Sequence, residues 1–154
     1  MYDGQWITTS KRDEFENQKR IKREKEEADR KAKEQLEAQF RDQHSHPNII
    51  VHAQGGQAFD IAGLVGQGRI TVIDFYAGWC GPCKRMAPQL KSLVMQYPDV
   101  LVHKIDIVNW TSPVAQQYHL SSIPNLRVFN RDGKLIGRLT GSIGAVAEYV
   151  RQAN

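Results

Sequence analysis

The chain has 154 residues, enough for one domain of ordinary size together with an extension. Its formal net charge is +4, and its sequence pI is about 9.1. Because basic residues are interleaved with acidic ones and no basic-aromatic motif occurs, we expect no nucleic-acid partner. No run approaches about 18 uninterrupted apolar residues, so the composition also argues against a membrane-spanning helix.

Residues 1–10 have no basic start followed by an apolar core, so they do not read as a signal peptide. We therefore expect a cytoplasmic protein. A chain from which an export signal or anchor had been removed would look the same, which leaves a periplasmic or extracytoplasmic location as the alternative.

The stretch from Lys11 to Gln43 is predicted to form one long helix. It contains eleven basic and ten acidic residues and no Gly or Pro, and opposite charges often lie four residues apart. Its apolar residues do not follow a heptad pattern, so a coiled coil is not indicated. Two interpretations stay open. The helix is a solvated or partly disordered arm, or it binds a partner or a second copy through the end that carries Ala32, Leu36 and Phe40.

The segment from His44 to Pro47 ends this helix, because the residue before a proline is disfavoured in the α conformation. We place a domain boundary here, with residues 1–46 as extension and linker and residues 47–154 as the folded domain. His44 and His46 are two residues apart, but solvated linker histidines are more common than metal ligands. The other histidines are scattered along the sequence, so we expect no metal site.

From residue 48 onwards, short apolar runs alternate with helical patterns, which predicts an α/β domain. The predicted strands are Ile49–Val51, Ile70–Tyr76, Val100–Ile107, Leu126–Phe129 and Lys134–Leu139, the last two joined by a hairpin turn over residues 130–133. The predicted helices are Gln57–Leu64, Cys80–Tyr97, Ser112–Tyr118 and Gly144–Gln152.

Both cysteines, Cys80 and Cys83, lie where the second strand meets the second of these helices. A Cys-x-x-Cys pair at such a junction indicates redox chemistry. Cys80 falls at the helix N-terminus, where unpaired N–H groups and the helix dipole favour a thiolate, the form that attacks a disulfide. Pro82 suits the first helical turn. The alternatives are a structural disulfide or half of a zinc site, although zinc usually needs four ligands.

The run from Val72 to Lys84, Val-Ile-Asp-Phe-Tyr-Ala-Gly-Trp-Cys-Gly-Pro-Cys-Lys, closely resembles the active-site signature of thioredoxin. The resemblance extends from about Pro47 to the C-terminus and implies a three-layer fold, with a central mixed sheet flanked by helices. It makes Cys80 the nucleophile and Cys83 the resolving cysteine, which we expect to be the more buried of the two.

The activity implied by the resemblance is that of a thiol–disulfide oxidoreductase that reduces protein disulfides and needs no cofactor. Its partners would be disulfide-containing client proteins and a reductase as electron donor, either thioredoxin reductase or a membrane equivalent. Two alternatives remain: an exported or membrane-tethered reductase with a dedicated client, and an interaction scaffold that uses the N-terminal helix.

Asp74 interrupts an otherwise apolar strand, where a carboxylate is costly to bury. The resemblance makes Asp74 a proton acceptor for Cys83 and places Lys104 near it. We therefore expect Asp74→Asn to raise stability while slowing disulfide reduction. The alternative is an outward-facing residue on a half-exposed sheet.

Pro124 matches the cis-proline loop of the family, in which the backbone of Ile123 would pair with an extended client. The alternative is an ordinary trans proline before a strand. Asn125 stands where threonine is common, which leaves client preference open. By the same resemblance, the client groove is lined by Trp79, Gly81, Pro82, Ile123, Pro124 and Gly141.

Overall fold

The computed structural model describes residues 9–53 and 55–153. They fall into two compact units, one up to Arg41 and one from Asp42 onwards. The boundary expected between residues 46 and 47 stays a prediction. Among the helices in the described part of the chain, none is both long and apolar enough to cross a membrane.

The described residues of the first unit all belong to one helix, α1 (Thr9–His44), which is close to the predicted span. Its apolar side chains Phe15, Ile21 and Leu36 are each at least half exposed. Ion pairs four residues apart lie along it, the shortest between Lys31 and Glu27 at 2.7 Å. Exposed pairs of this kind stabilise a helix only slightly. A binding role for this helix stays a prediction.

The second unit is built on a five-stranded sheet. The strands are β1 (Ile49–His52), β2 (Ile70–Tyr76), β3 (Val100–Asp106), β4 (Asn125–Phe129) and β5 (Leu135–Thr140). Their order is β1-β3-β2-β4-β5, with β1, β3 and β2 parallel and β4 and β5 antiparallel to their neighbours. The predicted mixed sheet is therefore confirmed.

Helices cover both faces of this sheet. They are α2 (Gly81–Gln96), α3 (Pro113–Gln117) and α4 (Ile143–Ala153). Ile70 and Val72 of β2 pack with residues of α2 and α4 in one core cluster, whereas Ile73 and Phe75 pack with α3 in the other. Successive side chains of a strand point to opposite faces, so β2 supplies both cores and is buried along its whole length. The three-layer architecture is confirmed.

The helix predicted over Gln57–Leu64 is wrong, apart from one 3-10 turn at Ala62–Leu64. Here the backbone forms hydrogen bonds with distant side chains instead of with itself. The Phe59 N–H donates to Oε1 of Gln117 at 2.9 Å, and the Tyr118 hydroxyl donates to the Phe59 carbonyl at 2.6 Å. Tertiary contacts of this kind override local helix propensity.

Two histidines that are far apart in the sequence meet in the structure. Pairing of β1 with β3 brings Nε2 of His52 to 3.0 Å from Nδ1 of His103, which is 5% exposed. Burial, and secondarily the neighbouring His52, lower the pKa of His103 to about 4. The separation of these two histidines along the sequence therefore does not hold in the fold. The described residues contain no group of three potential ligands that could hold a metal ion.

This pair predicts a pH-dependent stability. The unfolded chain binds a proton at His103 below about pH 6.5, whereas the folded chain does not do so until about pH 4. The stability that comes from this depressed pKa is therefore present above pH 6.5 and is lost as the pH falls towards 4. The urea midpoint of wild type should therefore fall relative to that of His103→Leu as the pH is lowered through this window. A difference between the two urea midpoints that stays constant with pH would contradict the prediction.

Close packing of β5 against α4 gives a second prediction. A Cβ at Gly137 would lie 2.8 Å from Cδ2 and Cε2 of the Tyr149 ring, which is well inside normal contact. Gly137→Ala should therefore lower the free energy of unfolding by about 1–3 kcal/mol. Gly63→Ala is the matched control, because nothing lies within 4 Å of its Cβ position. Equal urea midpoints for the two variants would contradict the prediction, because they would show that the Tyr149 ring can move away from the added Cβ at no cost in stability.

Candidate functional site

The turn from β2 into α2 places the two cysteines. The Cys80 N–H donates to the Ala77 carbonyl at 3.0 Å, and Cys80 then caps α2. The Cys83 N–H donates to Sγ of Cys80 at 3.2 Å, so the sulfur takes up one of the N–H groups that a helix leaves unpaired at its start. Pro82 lies in the first turn, as predicted. This arrangement stabilises negative charge on Sγ of Cys80.

Cys80 and Cys83 form a disulfide, with their Cα atoms 5.3 Å apart. Each residue is 4% exposed. The expectation that Cys83 is the more buried cysteine is therefore wrong for this oxidised state. What distinguishes the two is their place in the helix, since Cys80 is the cap and Cys83 lies inside the first turn.

A buried ion pair lies in the sheet on the side of α2. Asp74 of β2 is opposite Lys104 of β3, and the Lys104 ammonium donates to Oδ2 of Asp74. Both residues are 2% exposed, which excludes the half-exposed strand position considered as the alternative. The other oxygen of Asp74, Oδ1, has no hydrogen-bond partner among the described residues. Strand alternation puts Asp74 on the same face as Val72, which packs with α2.

The surroundings of the pair are aromatic and acidic. The Lys104 ammonium lies 4.5 Å from the centre of the Tyr76 ring. Burial, followed by the charges of Asp106 and Asp74, raises the pKa of Tyr76 to about 12. The phenol therefore stays neutral at physiological pH and cannot serve there as a phenolate base.

Strand register places two of the predicted client-groove residues, Pro124 and Gly141, next to each other. The Ile123–Pro124 bond is cis, as predicted. Ile123 packs against the core cluster that contains both cysteines. Because Asn125 is paired with Phe75 and with Thr140, Pro124 lies next to the end of β2 on one side and next to Gly141 on the other.

The exposure of the remaining groove residues fits a client surface. Pro82 and Gly141 are exposed, Gly81 is partly exposed, and Trp79 is 56% exposed. Gly141 has a φ of 82° with open space at its Cβ position, so its positive φ and not steric crowding favours glycine there.

Two residues of the site were missed by the sequence analysis. The Trp79 indole N–H donates to the Val108 carbonyl at 2.6 Å, and the Trp79 ring meets Trp110 edge-on, with ring centres 5.8 Å apart. Both partners lie in the loop between β3 and α3. The available signal was a tryptophan in the polar sequence Asn-Trp-Thr of the loop that follows the third strand.

The fold and the site define a dithiol–disulfide redox protein with its reactive pair at a helix start. The thioredoxin family model matches residues 51–151. The chain is 42% identical over 92 residues to thioredoxin of Chlamydia caviae, covering 60% of this chain and 82% of that protein. It is 38% identical over 106 residues to thioredoxin-1 of Saccharomyces cerevisiae, covering 69% and 99%.

Solved structures agree with this assignment. Oxidised mitochondrial thioredoxin 3 of Saccharomyces cerevisiae is 37% identical, with a TM-score of 0.52, and the match covers 60% of this chain and 86% of that chain. A structure described in connection with thiol resolving in a yeast mitochondrial 1-Cys peroxiredoxin is 34% identical, with a TM-score of 0.51 and the same coverage. The chain belongs to the thioredoxin family. It is a thiol–disulfide oxidoreductase that reduces protein disulfides.

Because Asp74 is part of a buried ion pair, we now expect Asp74→Asn to lower the stability instead of raising it. Removing the carboxylate would leave the Lys104 ammonium buried without a counter-charge, so the variant should lose about 3–5 kcal/mol of unfolding free energy. Asp74→Asn/Lys104→Met should recover a large part of this loss, because no unpaired charge is then buried. Urea denaturation at neutral pH measures both. Glu148→Gln, which breaks an exposed pair with Arg151, is the matched control and should change little.

A single Asp74→Asn variant that is as stable as wild type would contradict this reading of the pair, and so would a double variant less stable than the single one.

Proposed function

We propose that Cys80 is the nucleophile and Cys83 the resolving cysteine in the reduction of client disulfides. The observation that carries this assignment is the hydrogen bond from the Cys83 N–H to Sγ of Cys80 at the start of α2. A thiolate at this sulfur receives a backbone donor and the positive end of the helix dipole. Cys83 follows it within one turn, close enough to form the disulfide seen here.

The reaction runs in two exchange steps. The Cys80 thiolate attacks one sulfur of the client disulfide, which forms a mixed disulfide and releases the other client sulfur as a thiolate. The Cys83 thiolate then attacks Sγ of Cys80, which releases the second client thiol and leaves the Cys80–Cys83 disulfide. The client gains two electrons and two protons, and the protein loses the same number.

Asp74 is the proton acceptor that we assign to Cys83. Its Oδ1 has no hydrogen-bond partner among the described residues, and it lies on the face of the sheet that packs against α2. The Lys104 ammonium balances its charge. The unpartnered carboxylate oxygen is the position at which Asp74 would take up the proton that leaves the Cys83 thiol, so that Cys83 can attack as the thiolate.

The partners follow from the electron balance. The oxidised protein must regain two electrons and two protons from a reductase before it can act again, and a thioredoxin reductase supplies this chemistry. Clients are proteins with an accessible disulfide, which the cis-proline loop at Ile123 can meet as an extended segment.

Replacing each cysteine in turn tests the assignment. Cys83→Ser should accumulate a mixed disulfide with a client such as insulin, because attack proceeds and resolution does not. Cys80→Ser should form none and should have no insulin-reducing activity. Non-reducing electrophoresis and mass spectrometry identify the adduct. Adducts that accumulate with Cys80→Ser and not with Cys83→Ser would reverse the two roles.

A further inference from the structure

Two tryptophans form an exposed pair next to the nucleophile. Trp79 directly precedes Cys80 and is 56% exposed, and Trp110 is 44% exposed. Their rings meet edge-on with an interplanar angle of 60°. Val108, 45% exposed, and the exposed Pro82 lie at the same end of the domain. Together these four residues define the aromatic shoulder of the site.

Hydrogen bonds tie the loop that carries Trp110 to the sheet and within itself. The Ile107 N–H donates to the Tyr76 carbonyl at 2.9 Å, which ties the loop to the end of β2. Oδ1 of Asn109 accepts from the N–H and the hydroxyl of Thr111, at 3.0 and 2.9 Å. Ser112 then caps α3. Trp110 is thus presented to solvent by a braced turn and not by a free loop.

The chemistry of the aromatic shoulder favours an apolar ligand. The only polar atom of the Trp79 ring is already bonded to the Val108 carbonyl. The nearby Oδ1 of Asp106 accepts the Val108 N–H at 2.8 Å. Apart from the Trp110 indole N–H, what these four side chains leave accessible is ring and aliphatic surface, the kind of surface that dominates binding when it is buried by a partner.

The position of the aromatic shoulder indicates that its ligand is the client protein. A client sulfur must reach Sγ of Cys80, one residue from Trp79, so the chain that flanks the client cysteine passes over this surface. We propose that Trp110 is a specificity-determining residue. Together with Trp79 it binds an aliphatic or aromatic side chain close to the client cysteine. This inference rests on the proposed function and extends it to the choice of client.

Two disulfide peptides that differ only in the residue next to the cysteine test the proposal. One carries Leu at that place and the other Gly. Trp110→Ala should lower the ratio of kcat/KM for the Leu peptide to kcat/KM for the Gly peptide by about fivefold, the scale of one aromatic contact. Trp110→Phe should keep most of the ratio, and Trp110→Asn should repeat the loss. Met95→Ala, which removes an exposed side chain from the far end of α2, should leave the ratio unchanged.

Three outcomes would overturn the role proposed for Trp110, and a fourth would overturn the proposed function as well. An unchanged ratio in Trp110→Ala and Trp110→Asn overturns the proposal, and so does an equal loss on both peptides, which would make Trp110 a support for the cysteines. If the wild type reduces neither peptide, the proposed function fails and this inference fails with it. A wild type that reduces both peptides without preferring Leu leaves the function standing and overturns the inference alone.

Discussion

The hydrogen bond between the Cys83 N–H and Sγ of Cys80 depends on where α2 begins, and that point is fixed by β2. The strand is paired on both sides and buried from Ile70 to Tyr76, so its end has little freedom to move. The Cys80 N–H bonds back to Ala77, and the helix starts at once. A helix that began a residue later would point its free N–H groups at a different side chain.

The same strand carries, or leads directly into, two further features of the site. Asp74 of β2 forms a buried pair with Lys104, which needs both charges because either one alone would be left uncompensated in the core. Trp79, in the turn after β2, donates to the Val108 carbonyl and contacts Trp110. The end of β2 is thus connected both to the buried Asp74–Lys104 pair and to the exposed Trp79–Trp110 pair.

Features of the site that depend on local sequence could be predicted. The apolar run of β2 and the Cys-x-x-Cys spacing with Pro82 were enough to place the cysteines at a helix start. Features that depend on strand neighbours could not. His52 meets His103 because β1 lies beside β3. The predicted helix around Phe59 is absent because the Phe59 backbone forms hydrogen bonds with side chains at the end of α3. Apolar periodicity carries no information about such distant hydrogen bonds.

The most direct test of the account compares the reactivity of the two thiols in the reduced protein. A brief treatment with a limiting amount of iodoacetamide at neutral pH, followed by peptide mapping, measures how much of each cysteine is alkylated. Activation by the start of α2 predicts that Cys80 is modified far ahead of Cys83, since only the thiolate reacts. Equal modification, or modification mainly at Cys83, would contradict the claim that the helix start makes Cys80 the nucleophile.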